Sequence, residues 1–156
     1  MAAFTGTPAY SKTLFDQLNN VPETFSLANL RGKTVSYVHA LGAGTGAVNL
    51  YRLPAGKIRL VTALCNWQAS QFAALAVLSL GFREYTESDE DVISEDPAAF
   101  LDAADVAAGV TAKTYFALPA AGYLDLDSVA GITVFATVGT GNIENGDTIT
   151  TRLYWL

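Results

Sequence analysis

Few side chains in this 156-residue sequence combine the type and the spacing that catalysis requires. His39 is the only histidine, and no serine, cysteine or carboxylate stands in local register with it to make a nucleophilic pair. Asp102 and Asp105 form a carboxylate pair, but nothing around them marks a pocket that could give them separate acid and base roles. We therefore predict a structural or surface histidine and no enzymatic activity.

Residues 42–47 (GAGTGA) formally match the dinucleotide-binding pattern G-x-G-x-x-A. A Rossmann site needs a helix directly after the glycines, and an acid about 20 residues further on to hold the ribose. Here a short β-like run leads into the turn at residues 54–56, and the chain carries no acid between Thr24 and Arg83. These features predict a glycine-rich hairpin loop and no cofactor.

The densest charge lies at residues 84–96, which could suggest a calcium site. The EF-hand spacing fails because Ile93 and Ser94 stand where a ligand and the obligatory glycine should be. Charge runs are usually solvated, so we predict an exposed acidic loop and assign no metal. A looser cation site remains open, built from three carboxylates of this loop: Glu87, Asp89 and Asp91.

Composition excludes several classes of partner. The calculated pI of about 4.5 and the absence of a clustered basic stretch argue against nucleic acid. The most apolar stretch, residues 72–80, is about half the length of a membrane-spanning helix. The N-terminus lacks the pattern of a secretory peptide, so we expect synthesis in a cytoplasm. Cys65 is the single cysteine, and its apolar neighbours predict a buried, inert thiol.

The net charge of -6 is unevenly distributed along the chain. Seven basic and two acidic residues up to Arg83 give +5, whereas two basic and thirteen acidic residues from Glu84 onward give −11. Two interpretations remain open. The opposite charges could occupy different faces and steer docking to a partner, or they could interleave in space between neighbouring strands.

The elements that would position these residues are mainly strands. Short β-like runs separated by Gly, Pro and Asn turns predict an all-β domain, an antiparallel β-sandwich with jelly-roll-like connections over residues 31–156. The runs span residues 33–40, 47–53, 57–64, 74–85, 112–118, 131–138 and 148–155. One short helix is predicted at residues 96–105, with Asp96 as N-cap, Pro97 at the first helical position and Gly109 after its end.

Residues 1–30 differ from the rest, because isolated apolar side chains are scattered among glycines, prolines and small polar residues. Such a segment cannot form a core of its own, so we predict an extended N-terminal arm. Its apolar side chains are too far apart to pack together, so they need a surface, either on a partner, which we favour, or on the chain's own sandwich. The predicted partner-binding residues are Phe4, Tyr10, Phe15, Leu18 and Phe25.

Several short segments follow one another in a recognisable order. A Leu-Pro-Ala-Gly turn at residues 53–56 leads into a strand, and residues 78–85 (LSLGFREY) form an aliphatic strand closing on Gly-aromatic-x-x-Tyr. After the acidic loop, an acid-Pro start leads to Asp-Val-x-x-Gly at residues 105–109, and Gly-x-Ile-x-x-Gly-x-x-Ile follows at residues 141–149. In this order the chain resembles the small cement or head-decoration proteins of tailed-phage capsids.

The resemblance implies a β-sandwich that binds the assembled major capsid protein on the outer surface of the virion, stabilises the head and performs no chemistry. It also implies a homo-oligomer made in the bacterial cytoplasm, with a trimer preferred and a dimer as the alternative. A second hypothesis is a carbohydrate- or receptor-binding β-sandwich module of a phage tail or fibre. That module would stack sugars on exposed tyrosines and tryptophans such as Trp67 or Trp155.

Overall fold

Strands occur throughout residues 30–156, the part of the chain that this computed structural model describes, and alternating apolar and polar residues favour several of them. Twelve strands and no helix occur within that range. In chain order the strands are β1 (Arg31–Val38), β2 (Gly44–Leu53), β3 (Gly56–Leu60), β4 (Asn66–Ala69), β5 (Ala76–Phe82), β6 (Tyr85–Thr86), β7 (Val92–Ile93), β8 (Asp96–Asp105), β9 (Val110–Tyr115), β10 (Leu124–Ser128), β11 (Ile132–Ile143) and β12 (Thr148–Trp155).

The strands form two main sheets and one small hairpin. The first sheet has six strands in the order β10-β3-β12-β4-β9, with β1 also paired to β12. The second has the order β2-β11-β5-β8, and β6 pairs with β7. Every pairing among these strands is antiparallel, which confirms the predicted all-β, antiparallel class. No helix long and apolar enough to cross a membrane occurs in the described range.

Buried side chains of both main sheets belong to one hydrophobic cluster. Strand β12 shows how the sequence produces it, because its burial alternates residue by residue as the apolar pattern predicts. Ile149 and Leu153 are fully buried, whereas Thr150 and Arg152 on the opposite face are only partly covered. The core therefore rests on the period-two pattern of its strands.

The predicted helix at residues 96–105 is wrong, because this segment is strand β8 at the edge of the second sheet. The Asp96 side chain does accept a hydrogen bond from the Ala98 amide at 3.0 Å, the bond expected of a helix cap, yet the chain continues extended. Phe100 is fully buried in this strand, and the backbone passes close to Gly81 of β5. Burial against the sheet thus overrides a local helix signal.

Other sequence predictions have mixed outcomes. Strands β4 and β10 fall outside the predicted runs, and the run at residues 74–85 divides into β5 and β6. Gly109 has φ +76 and follows a strand, so it does not end a helix. The jelly-roll connections and the division into an arm (1–30) and a sandwich domain (31–156) stay predictions.

Candidate functional site

The residues predicted to bind a partner are not among those that the structure describes. Phe4, Tyr10, Phe15, Leu18 and Phe25 all precede residue 30, so their assignment stays a prediction. The remaining candidate groups lie within the described range, where their surroundings can be examined.

His39 is held by local hydrogen bonds. Its Nε2 lies 3.0 Å from the Gly42 carbonyl oxygen, and its Nδ1 lies 2.9 Å from the Tyr37 hydroxyl. Because a carbonyl only accepts, Nε2 carries the proton in the neutral ring and Nδ1 accepts the hydrogen bond from Tyr37. Both ring nitrogens are engaged in organising the connection after β1. This arrangement is that of a structural histidine, as the sequence predicted.

The glycine-rich segment is not a hairpin loop, contrary to the prediction. It connects β1 of the first sheet to β2 of the second, and its later glycines already belong to β2, with Gly44 opposite Ile143 and Gly46 opposite Val138. A strand follows the glycines where a dinucleotide site requires a helix. The segment therefore carries the chain from one sheet to the other.

The acidic loop forms the turn of the β6–β7 hairpin. The Glu87 amide donates to the Asp91 carbonyl at 2.8 Å, and the Asp91 amide lies 3.3 Å from the Asp89 carboxylate. The turn brings the carboxylate oxygens of Glu87, Asp89 and Asp91 within 4.8 Å of one another. Burial, aided by the charges of Glu87 and Asp127, raises the pKa of Tyr85. Clustered exposed carboxylates are common in solvated turns, and we assign no metal to this one.

The two tryptophans proposed as sugar platforms are buried. Trp67 is 2% exposed and Trp155 is 6% exposed, and both belong to the hydrophobic core. Trp155 packs against Tyr51 with ring centroids 5.9 Å apart. Neither ring face is open to stack against a ligand, so the carbohydrate-binding hypothesis loses the two tryptophans that it named, although Tyr115 and Tyr123 are exposed.

Opposite charges from the two halves of the chain meet at several places. Arg59 of β3 forms a bidentate ion pair with Asp125 of β10, at 2.6 and 2.8 Å. The hydrogen bond from Arg59 lowers the pKa of Asp125. Arg83 donates to Glu95 at 2.9 Å and lies 3.8 Å from the centre of the Phe135 ring. At these positions the charges interleave in space, as one of the two interpretations held.

Cys65 is buried, as predicted. Its sulfur accepts a hydrogen bond from the Tyr154 amide at 3.3 Å. Burial raises the pKa of the thiol to about 12, so the nucleophilic thiolate is scarce at neutral pH. The residue therefore acts as part of the core.

One end of the two sheets exposes large apolar side chains that the sequence did not single out. Leu41 is 71% exposed and Leu75 is 74% exposed, and we call the loops that carry them, residues 39–43 and 73–75, the leucine end. The His39 amide bonds to Asp147 and the Ala73 amide bonds to Asn142, so the first loop attaches to the β11–β12 connection and the second to the end of β11.

Leu75 has φ 66, a left-handed conformation that is unusual for a leucine. Sequence reasoning placed it inside a strand because the run at residues 74–85 begins with five apolar residues. Only the tertiary position of the turn shows that this side chain faces solvent. An exposed apolar end of this kind is suited to contact with a partner rather than to chemistry.

The described residues thus define an antiparallel β protein with two main sheets. Neither a protein-family model nor a curated protein matches the chain. Among solved structures, the chain is similar in fold to a chain of the cyanophage Pam1 capsid asymmetric unit, with a TM-score of 0.58 and 15% sequence identity. The likeness covers 87% of this chain and 96% of that chain.

Proposed function

We propose that this chain is a cement or decoration protein of a tailed-phage capsid. In this role it binds the outer surface of the assembled major capsid protein and stabilises the virion head. The observation that carries the proposal is the structural likeness, which covers 96% of a chain from a phage capsid asymmetric unit and 87% of this one. A likeness of this extent relates the folds of whole chains, and the order of the sequence segments supports the same class of protein.

The local chemistry is consistent with a binding role. Both ring nitrogens of His39 are taken up by Tyr37 and Gly42, and the thiol of Cys65 lies in the core. A protein that holds a lattice together needs contact surface more than reactive groups. The leucine end offers such a surface, because Leu41 and Leu75 are both more than two-thirds exposed.

We further propose that the N-terminal arm fastens the protein to the capsid through Phe4, Tyr10, Phe15, Leu18 and Phe25. An extended chain advances about 3.3 Å per residue, so the arm is long enough to cross from one capsid subunit to the next. Buried aromatic anchors contribute most of the affinity in many interfaces. Self-association into a trimer, or into a dimer as the alternative, would let one assembly contact several subunits.

The test is to add the purified protein to phage particles that lack it and to image both samples by electron microscopy. We expect added density at regular lattice positions on the outer surface and particles that withstand higher temperature. Density confined to the tail, or particles that gain neither density nor heat stability, would overturn the proposal.

Deletion of residues 1–28 separates the two candidate surfaces. We expect the shortened protein to keep the melting behaviour of the full chain and to lose capsid occupancy. A matched comparison is the full chain with Leu41→Ser and Leu75→Ser, which alters only the leucine end. If the shortened protein binds as well as the full chain and the double variant does not, the contact lies on the leucine end.

A further inference from the structure

Strand β1 stands at the edge of the six-stranded sheet. It pairs with β12 along its whole length, from Arg31 opposite Trp155 to Val38 opposite Thr148. Among residues 30–156, β12 is its single strand partner. Six of its eight residues are exposed, and the other two, Val35 and Tyr37, are partly buried. The other edge of β1 therefore has no strand partner among residues 30–156.

The hydrogen bonds of β12 show which backbone groups of β1 point outward. The carbonyl of Tyr154 accepts from Val61 at 2.9 Å, and that of Thr148 accepts from Ser70 at 3.0 Å. The backbone N–H and C=O groups of the even-numbered residues of β12 therefore point away from β1. Those of the odd-numbered residues point towards it. Because opposite residues exchange hydrogen bonds in pairs, the odd-numbered residues of β1 bond to β12. The amides and carbonyls that face outward belong to Gly32, Thr34, Ser36 and Val38.

The other edge strands of the described domain are irregular or covered. Strand β8 contains Pro97 and two register shifts, and the pairings of β2 and β9 are also interrupted by shifts. Strand β10 is five residues long, and Ser88 of the acidic loop bonds to its Asp127. Bulges, proline, coverage and charged side chains are the usual means of preventing strand addition, and of these β1 carries only the charges of Arg31 and Lys33. Strand β1 has eight matched pairs without a shift and no proline.

We propose that β1 pairs antiparallel with β1 of a second copy of this chain, about a two-fold axis at Val35. The outward backbone groups then match, with Thr34 opposite Ser36 and Gly32 opposite Val38, and each such pair exchanges two hydrogen bonds. On the face that meets the core, Val35 lies opposite its own copy and Lys33 lies opposite Tyr37. No like charges stand directly opposite one another in this register.

The charges of β1 disfavour the neighbouring register that has Thr34 on the axis. With Thr34 on the axis, the same backbone groups would still pair, but the two copies of Lys33 would lie diagonally opposite, roughly 7–8 Å apart. With Val35 on the axis they are two residues further apart along the strands. A slip of one residue in the pairing would bring opposite faces of the two sheets together, and the half-buried Val35 would lose its apolar partner, the Val35 of the second copy.

The occupant is a second copy because the strand matches itself in length and backbone pattern, and the register on Val35 keeps the cations Arg31 and Lys33 of the two copies off directly opposite positions. The pairing joins two six-stranded sheets into one and covers side chains that the single domain leaves half-exposed. It favours a dimer over a trimer, since a two-fold contact of this kind closes with two copies. It is independent of the proposed capsid role and concerns the free protein.

The test uses charge reversal at the axis in the full chain. Val35→Lys and Val35→Glu each place like charges directly opposite in the dimer, so each variant alone should dissociate at least about tenfold more readily than the wild type. An equimolar mixture should form the heterodimer, because the opposite charges then meet. Sedimentation over a range of concentrations measures both effects, and recovery in the mixture shows that each variant is folded.

A second measurement is independent of charge. Thr34→Pro removes one outward amide, which an edge strand tolerates, whereas the control Thr34→Ala keeps it. We expect a monomer for the proline variant and a dimer for the control, with fast amide exchange at Ser36 and Val38 in the monomer alone. A wild type that is monomeric at every concentration, a trimer, a dimer that survives Thr34→Pro, or Val35 variants that do not pair in the mixture would overturn the proposal.

Discussion

Strands β1 and β8 are both edge strands of the described domain, and different forces hold them in place. β8 buries Phe100 and Leu101 in the core, and its pairing with β5 is irregular. β1 buries none of its side chains fully and follows β12 without a shift. Side-chain burial therefore determines the conformation of β8, whereas the backbone ladder determines that of β1. An edge fixed by burial can be irregular and closed to addition, while an edge fixed by its ladder keeps the regular backbone that another strand can join.

The largest effect should come from removing the anchor of β8. Phe100 is fully buried, and its ring stacks on Phe116 with centroids 5.4 Å apart. Phe100→Ala should lower the free energy of unfolding by about 4 kcal/mol, as loss of a buried ring and the resulting cavity do. Urea denaturation measures this loss. Asp102→Ala on the same strand is the control and should change stability by less than about 0.5 kcal/mol. Equal costs for the two variants would contradict burial as the force that holds β8.

The close approach of β5 and β8 predicts the second effect. A Cβ atom at Gly81 would lie 1.9 Å from the Asp96 carbonyl oxygen and 2.6 Å from the Pro97 carbonyl carbon. Gly81→Ala should therefore displace the start of β8 and cost about 3 kcal/mol. Gly139→Ala is the matched control, because its Cβ would meet only Val77 Cγ2 at an ordinary 3.8 Å. Thermal unfolding of both variants makes the comparison, and a harmless Gly81→Ala would show that β8 has room to move.

Single substitutions in β1 should lower the free energy of unfolding by less than those at Phe100 and Gly81. Tyr37→Phe removes the hydroxyl that bonds to His39 at 2.9 Å and should cost about 1 kcal/mol. Tyr115→Phe is the control, since Tyr115 is 59% exposed, and it should leave stability unchanged. Chemical denaturation at neutral pH gives both values. A cost near that of Phe100→Ala would mean that β1, too, depends on its side chains.

The smallest loss of stability is expected at β10, a third edge strand. Arg59 holds the pKa of Asp125 below its ordinary value. A carboxyl with a lowered folded pKa stabilises the protein above the pKa of the unfolded chain, and this contribution is lost as the pH falls through the folded pKa. Asp125→Asn should therefore cost less than about 1 kcal/mol at neutral pH, and nothing in strong acid, because the carboxylate side of the pair is largely exposed.

A double-mutant cycle identifies the source of that effect. Arg59→Gln should have a similar cost at neutral pH, and the double variant should lose little more than either single one. Additive costs would show that the two side chains act separately. Melting temperatures recorded from strong acid to neutral pH provide the required values.

The contrast between the two edges also explains what the sequence could predict. β1 and β12 follow from alternation, since each residue's face is set by its neighbours along the strand. β8 does not, because Asp96, Pro97 and the alanines after them favour a helix locally. The decisive contacts come from Gly81 and the core, which are distant in sequence. Local pattern therefore identifies a strand only where tertiary packing agrees with it.

At the candidate binding surfaces, too, local pattern predicts the burial of some residues and not of others. Alternation groups Trp155 with Ile149 and Leu153, and all three are buried. The sugar-binding hypothesis needed that ring exposed and was therefore at odds with the pattern. Leu75 is the opposite case, because its apolar neighbours suggest burial although the residue lies at a turn with φ 66. Turn geometry of this kind depends on the β11 backbone, which the local sequence does not encode.

The buried state of Cys65 makes the chain convenient for imaging. It is the single cysteine of the protein. Burial raises its pKa to about 12, so the thiol is unreactive towards maleimides at neutral pH. A cysteine introduced at an exposed position, such as Ala120→Cys, would then be the sole reactive thiol. Each copy could carry one fluorophore or one gold cluster without removal of the native residue. The number and position of copies on a single particle could thus be counted directly.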